Sequence, residues 1–183
     1  MCPKCINFPN QMNQPGLLSK FSFMIRFIIF TAVSFLSVYA MGQNDLPDVK
    51  IKNLNGQEIN FRSLGGGNDT AVVVNLWATW CIPCINELES INDQYADRQK
   101  ETPFKIIAIS IDDARTSGRV RSFVKGKGWT FDIYLDANSD LKRALNVNDV
   151  PHVLIIKNGK IVYQHNGYLP GNEEELFEKL KTI

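Results

Sequence analysis

Neither sign of charge dominates this chain: 20 Lys and Arg stand against 19 Asp and Glu, a formal net charge of +1. With no long block of like charge and no internal repeat, composition offers no case for nucleic acid or an acidic surface as a partner. Histidine is scarcer still. His152 and His165 are the only two, and they lack the H-x-x-x-H spacing of a zinc finger. Cysteine occurs four times, as Cys2/Cys5 and Cys81/Cys84. The "CPKC" pair has zinc-like internal spacing, but about 75 residues separate it from the second pair, whereas zinc ribbons separate theirs by about 15–20. No metal site and no other cofactor is therefore expected.

Long apolar runs are almost absent too. The exception is "FIIFTAVSFLSVYA", fourteen uncharged residues that follow Met24-Ile25-Arg26. A short positive end, an apolar stretch and small residues at Val38 and Ala40 together read as a secretory signal peptide over 24–40. A membrane span needs about 20 apolar residues and this run is shorter; an uncleaved anchor is the alternative. Residues 1–23 carry Pro, Asn and Gln without periodicity and are expected to be an over-extended N-terminus, with translation beginning at Met24. Cys2 and Cys5 fall within them. Setting 1–40 aside leaves 45–183 as one domain with a single cysteine pair, exported to a compartment where disulfides persist.

What is present is a core: 44% of the residues are hydrophobic. "VKIKNLNGQEINFRSL" alternates on both sides of Asn55-Gly56, a dipeptide favoured in tight hairpin turns. "AVVVNLWA" (71–78) and "FKIIAISID" (104–112) are nearly continuous apolar, β-branched runs, the pattern of strands buried on both faces. From Ile82 to about Lys100 the period is helical, with Ile85, Leu88, Ile91 and Tyr95 sharing a face. A helix is expected over 115–127, a short strand over 131–135, a short helix over 138–145 and a hairpin over 152–165 turning at Asn158-Gly159. Asn172 with Glu175 suggests a capping box opening the last helix. Alternating strands and helices followed by a hairpin predict an α/β domain, a mixed β-sheet flanked by helices on both faces, with an N-terminal β-hairpin.

The cysteine pair Cys81/Cys84 closes the buried strand and opens the helix. There a sulfur lies near unpaired backbone N–H groups and the positive end of the helix dipole, which favour thiolate over thiol. Pro83 has a fixed φ suited to a first helical turn. Cys81, the more exposed, is expected to attack a substrate disulfide, and Cys84 to resolve the mixed disulfide one turn on. The competing readings are a zinc clip, which lacks two ligands, and a static staple, which a two-residue loop makes nearly worthless.

"VVVNLWATWCIPC" resembles the active-site segment of the thioredoxin superfamily, and "VPHVLIIKNGKIV" resembles its second hallmark, a cis proline followed by strand, turn and strand. With the leading hairpin, the insertion-like segment 104–135 and an acidic residue three after the second cysteine, the chain looks like the exported TlpA/ResA-like branch of thiol–disulfide oxidoreductases. The resemblance implies a thioredoxin-like fold, a cis peptide at Pro151, and backbone groups at Val150 offered to a substrate peptide. It also implies a glycine at Gly167 that keeps the groove clear, and a proton-shuttling carboxylate at Glu87. Trp80 is expected to shield the attacking sulfur and form docking surface; Trp77 is expected in the core. The alternative for Gly167 is a turn glycine, and for Glu87 a solvated helix residue. One departure stands out: Asn75 occupies the place where thioredoxins proper carry a buried Asp, so that base is absent. His152, directly after the proline, could couple the site to pH.

The activity so implied is disulfide reduction in exported proteins or apocytochromes, as in cytochrome c maturation, fed by a membrane electron donor and carried out by a monomer. The apolar Ile82-Pro83 dipeptide gives no push toward an oxidant. A peroxiredoxin-like peroxidase and a non-catalytic peptide-binding module are the rival readings.

Overall fold

The computed structural model describes residues 45–65 and 70–183. The segment 24–40 expected as a signal peptide, the stretch upstream of it and the Cys2/Cys5 pair lie outside the described residues. The centre of the fold is strand β3 (Ala71–Trp77), every residue of which is buried. It runs parallel to β4 (Phe104–Ser110) on one side and antiparallel to β6 (His152–Lys157) on the other. A strand flanked and covered in this way has no solvent face, hence the unbroken apolar run. Beyond β4 come β5 (Asp132–Leu135), parallel, then β1 (Lys50–Asn53) and β2 (Glu58–Asn60), both antiparallel, to one edge; β7 (Lys160–Asn166) forms the other. The order β2-β1-β5-β4-β3-β6-β7 is a mixed seven-stranded sheet in an α/β, thioredoxin-like fold.

Among the described residues five α-helices complete it: α1 (Phe61–Leu64), α2 (Ile82–Glu101), α3 (Val120–Lys127), α4 (Asp140–Ala144) and α5 (Asn172–Lys181). On α2, Ile85, Leu88 and Ile91 are buried as their spacing requires, and Tyr95 packs edge-on against Phe104 with ring centroids 5.3 Å apart. Trp77 is fully buried and meets Trp129 at 5.0 Å and Phe123 of α3 at 5.7 Å. It belongs to the core.

Local chemistry shifts several boundaries. The β1–β2 connection is a four-residue loop, 54–57, not a tight Asn55-Gly56 turn, because the Asn53 side-chain oxygen accepts the N–H groups of both Asn55 and Gln57. Asn158-Gly159 does make the tight turn, with φ of 52° and 72°, both positive as a primed turn requires. The helix expected over 115–127 starts later: the Asp113 carboxylate takes the N–H groups of Arg115 and Thr116, and a 3₁₀ turn (Ser117–Arg119) precedes α3. The capping box on α5 does not form. Gly171 occupies the cap at φ 102°, Asn172 accepts from the N–H of Leu169, and Glu175 accepts the Tyr163 hydroxyl.

The β6–β7 ladder carries one irregularity. Ile156 pairs with Ile161 and Ile155 with Tyr163, so Val162 is an extra residue on β7. From there the pairing continues through Val153–His165 to His152–Asn166.

Candidate active site

Where β3 ends, the chain turns through Ala78, Thr79 and Trp80. A buried carboxylate at the end of β4 holds this turn. Asp112 accepts the Thr79 N–H at 2.8 Å, the Thr79 hydroxyl at 2.6 Å and the Ser110 hydroxyl at 2.8 Å. Three donors satisfy a charge that burial would otherwise penalise heavily. The next residue after Trp80 is the N-cap of α2, and it is Cys81.

The Cys81 Sγ accepts the backbone N–H of Cys84 at 3.3 Å, the capping bond a Ser or Thr hydroxyl makes elsewhere. Pro83 sits in the first helical turn, where a missing N–H costs nothing. Cys81 and Cys84 are joined as a disulfide, with Cα atoms 5.3 Å apart. Cys81 keeps 5% exposure and Cys84 none. Exposed apolar side chains flank the sulfur: Trp80 is 61% and Ile82 64% exposed.

The opposite wall comes from the start of β6. Val150–Pro151 is a cis peptide, and the Val150 carbonyl oxygen lies 3.7 Å from the Cys81 Sγ. Gly167 follows β7 and donates its N–H to the Pro151 carbonyl at 2.8 Å. A Cβ at Gly167 would meet nothing within 4 Å; its φ of +81°, not crowding, is what asks for glycine.

On the buried side of α2, one turn past Cys84, lies Glu87. It is 1% exposed rather than solvated, and both carboxylate oxygens have partners. Asn75 Nδ2 donates to Oε2 at 2.6 Å, and His165 Nε2 meets Oε1 at 3.2 Å. Register explains the convergence: Asn75 of β3, Val153 of β6 and His165 of β7 form one row across three strands. Asn75, expected only as the loss of a base, is thus a donor to a carboxylate supplied from the helix. His165 was not singled out by sequence. Its only signal is that row, which needs both ladders to be placed.

His152 belongs to the adjacent row, opposite Leu76, so its side chain leaves the other face of the sheet. Burial holds its imidazole below the ordinary histidine value. The unfolded chain therefore takes up a proton more readily as pH falls, so the stability present above about pH 6.5 is lost on acidification. Thermal unfolding between about pH 7 and pH 5 should fall less steeply for His152→Leu than for the unaltered protein. Superimposed pH curves would show that His152 carries no such linkage.

A sheet of this order, with a cysteine pair at the mouth of the helix that leaves its central strand and a cis proline facing it, is the arrangement of thioredoxin-like proteins. The chain belongs to the AhpC/TSA family, whose model matches residues 43–165. It is 32% identical over 140 residues to the thiol-disulfide oxidoreductase ResA of Bacillus anthracis, covering 76% of both chains, and 31% identical over the same length to that of a Bacillus cereus strain. Among solved structures it resembles a thioredoxin-like protein of Porphyromonas gingivalis, with 40% identity, a TM-score of 0.67 and coverage of 75% of this chain and 90% of that one. StoA of Bacillus subtilis, 20% identical with a TM-score of 0.56 over 72% of this chain and 99% of its own, shares the fold. The protein is a thiol–disulfide oxidoreductase.

Proposed function

We propose that this protein is a disulfide reductase of exported proteins, working through a mixed disulfide at Cys81. The observation that carries this is the Cys81 Sγ in the N-cap position, 3.3 Å from the Cys84 N–H. In the reduced enzyme a thiolate there meets a backbone donor and the positive end of α2. Cys81 attacks one sulfur of a client disulfide, and the other leaves as a thiolate. Cys84 then gives up its proton and attacks the Cys81 sulfur, releasing the second client thiolate and leaving the enzyme disulfide. Two electrons pass from the cysteine pair to the client.

Glu87, buried one turn beyond Cys84, is the acceptor for that proton. Val150, Pro151 and Gly167 form the wall along which a client strand lies, and Trp80 covers the sulfur and contacts it. Ile82 and Pro83 offer the thiolate no side-chain donor, so little beyond the helix end stabilises the reduced form, which favours a reductant. The apolar segment over 24–40 supports export, with the enzyme in the periplasm or at the outer face of the membrane and re-reduced by a membrane electron donor. Clients of this kind include apocytochromes during cytochrome c maturation. The test is direct. The Cys81–Cys84 couple should have a potential nearer about −270 mV than about −120 mV and should reduce insulin disulfides in the presence of dithiothreitol, with negligible peroxide consumption. A potential at the oxidising end would reverse the assigned direction.

A further inference from the structure

Glu87 can accept the Cys84 proton only if a donor holds it in place while it is buried. At 1% exposure it has no water to do so. A buried carboxylate without donors reverts to its neutral form.

His165 supplies one. Its Nε2 lies 3.2 Å from Glu87 Oε1. Facing an ionised carboxylate, Nε2 must carry the proton. Asn75 pins the other oxygen from β3. The His165 Nδ1 is buried without a hydrogen-bond partner among the described residues, so the ring holds the carboxylate and does not pass its proton to water. We propose that His165 is the positioning partner of Glu87, donating from Nε2 so that the carboxylate stays aimed beneath Cys84, ready to accept.

This rests on the assignment of Glu87 as proton acceptor and adds to it. The step balances. The Cys84 thiol proton goes to Glu87, while the Cys84 sulfur takes over the bond to Cys81 and the client thiolate departs. The other titratable groups around the pair are Cys84 on α2, Tyr163 on β7 with its ring 5.7 Å from His165, Tyr168 after β7, and Glu173 and Glu175 on α5. None of these can become a cation. His152 can, but it projects from the opposite face of β6.

The test measures the two half-reactions separately, by acid-quenched mass spectrometry of the full chain with a disulfide peptide across pH 5.5–9. His165→Phe should slow resolution by Cys84 about tenfold at pH 7 and move its pH profile to higher pH. Attack by Cys81 should change less than about twofold. His165→Gln, which restores an N–H donor, should recover much of the rate. In a Glu87→Gln background the His165 substitution should add nothing further. A His165→Phe profile that superimposes on the unaltered one, while Glu87→Gln is slow, overturns the role of His165 and leaves Glu87 standing. A Glu87→Gln enzyme with unaltered resolution removes the assignment of Glu87 and the inference with it.

Discussion

Cys81→Ser is expected to abolish insulin disulfide reduction, by on the order of 10³-fold or more, while leaving the fold in place. The reason lies in the position as well as the atom. Cys81 is the N-cap of α2 and its sulfur accepts the Cys84 N–H. Serine is among the preferred residues for that bond, so the helix keeps its cap. What is lost is the group that ionises near neutral pH: a hydroxyl at the same helix end remains protonated and cannot open a disulfide. Losing the disulfide itself costs little stability, since so short a loop restricts the unfolded chain hardly at all. Thermal unfolding and turnover measured on one sample separate the two effects. Activity within about tenfold of the unaltered enzyme would mean that sulfur 81 is not the attacking group.

Cys84→Ser should behave in a contrasting way. The first half-reaction survives, because Cys81 keeps its place at the helix end, but nothing remains to expel the client. The mixed disulfide should accumulate as the end product, visible as a mass increase equal to the client peptide and removed by added dithiothreitol. Multiple turnover should fall by about 10²-fold or more, with a single-turnover burst retained. Cys84 is fully buried and Cys81 is not, so burial itself assigns which sulfur traps and which resolves. An adduct that forms instead on Cys84 in the Cys81→Ser protein would exchange the two roles.

Much of this architecture is legible in the chain. A run such as Ala71–Trp77 has no polar phase, and only a central strand hides seven successive residues. The Asn158-Gly159 turn follows from the backbone freedom of its two residues. The cysteine pair at the strand–helix junction is equally plain. What sequence does not convey is which carboxylates the sheet will cover. Glu87 looks like a solvated helix residue until β3 and β7 are placed beneath it, since its partners are 12 and 78 residues away. Asp112 is the same kind of case: its bond to Thr79 spans 33 residues. The capping box at Asn172 fails for a related reason, because the neighbouring Leu169 N–H and Tyr163 hydroxyl claim the two side chains first.

The extra residue on β7 has a bearing on the chemistry at the far end of that strand. Side chains along a strand alternate sides, so one surplus position inverts the parity of everything after it. Val162 is that surplus. Were Val162 instead paired in register with Ile155, Gln164 would stand opposite Val153 and reach toward Glu87, and the imidazole would turn to the other face. A half-exposed valine thereby decides whether the carboxylate faces a ring or an amide.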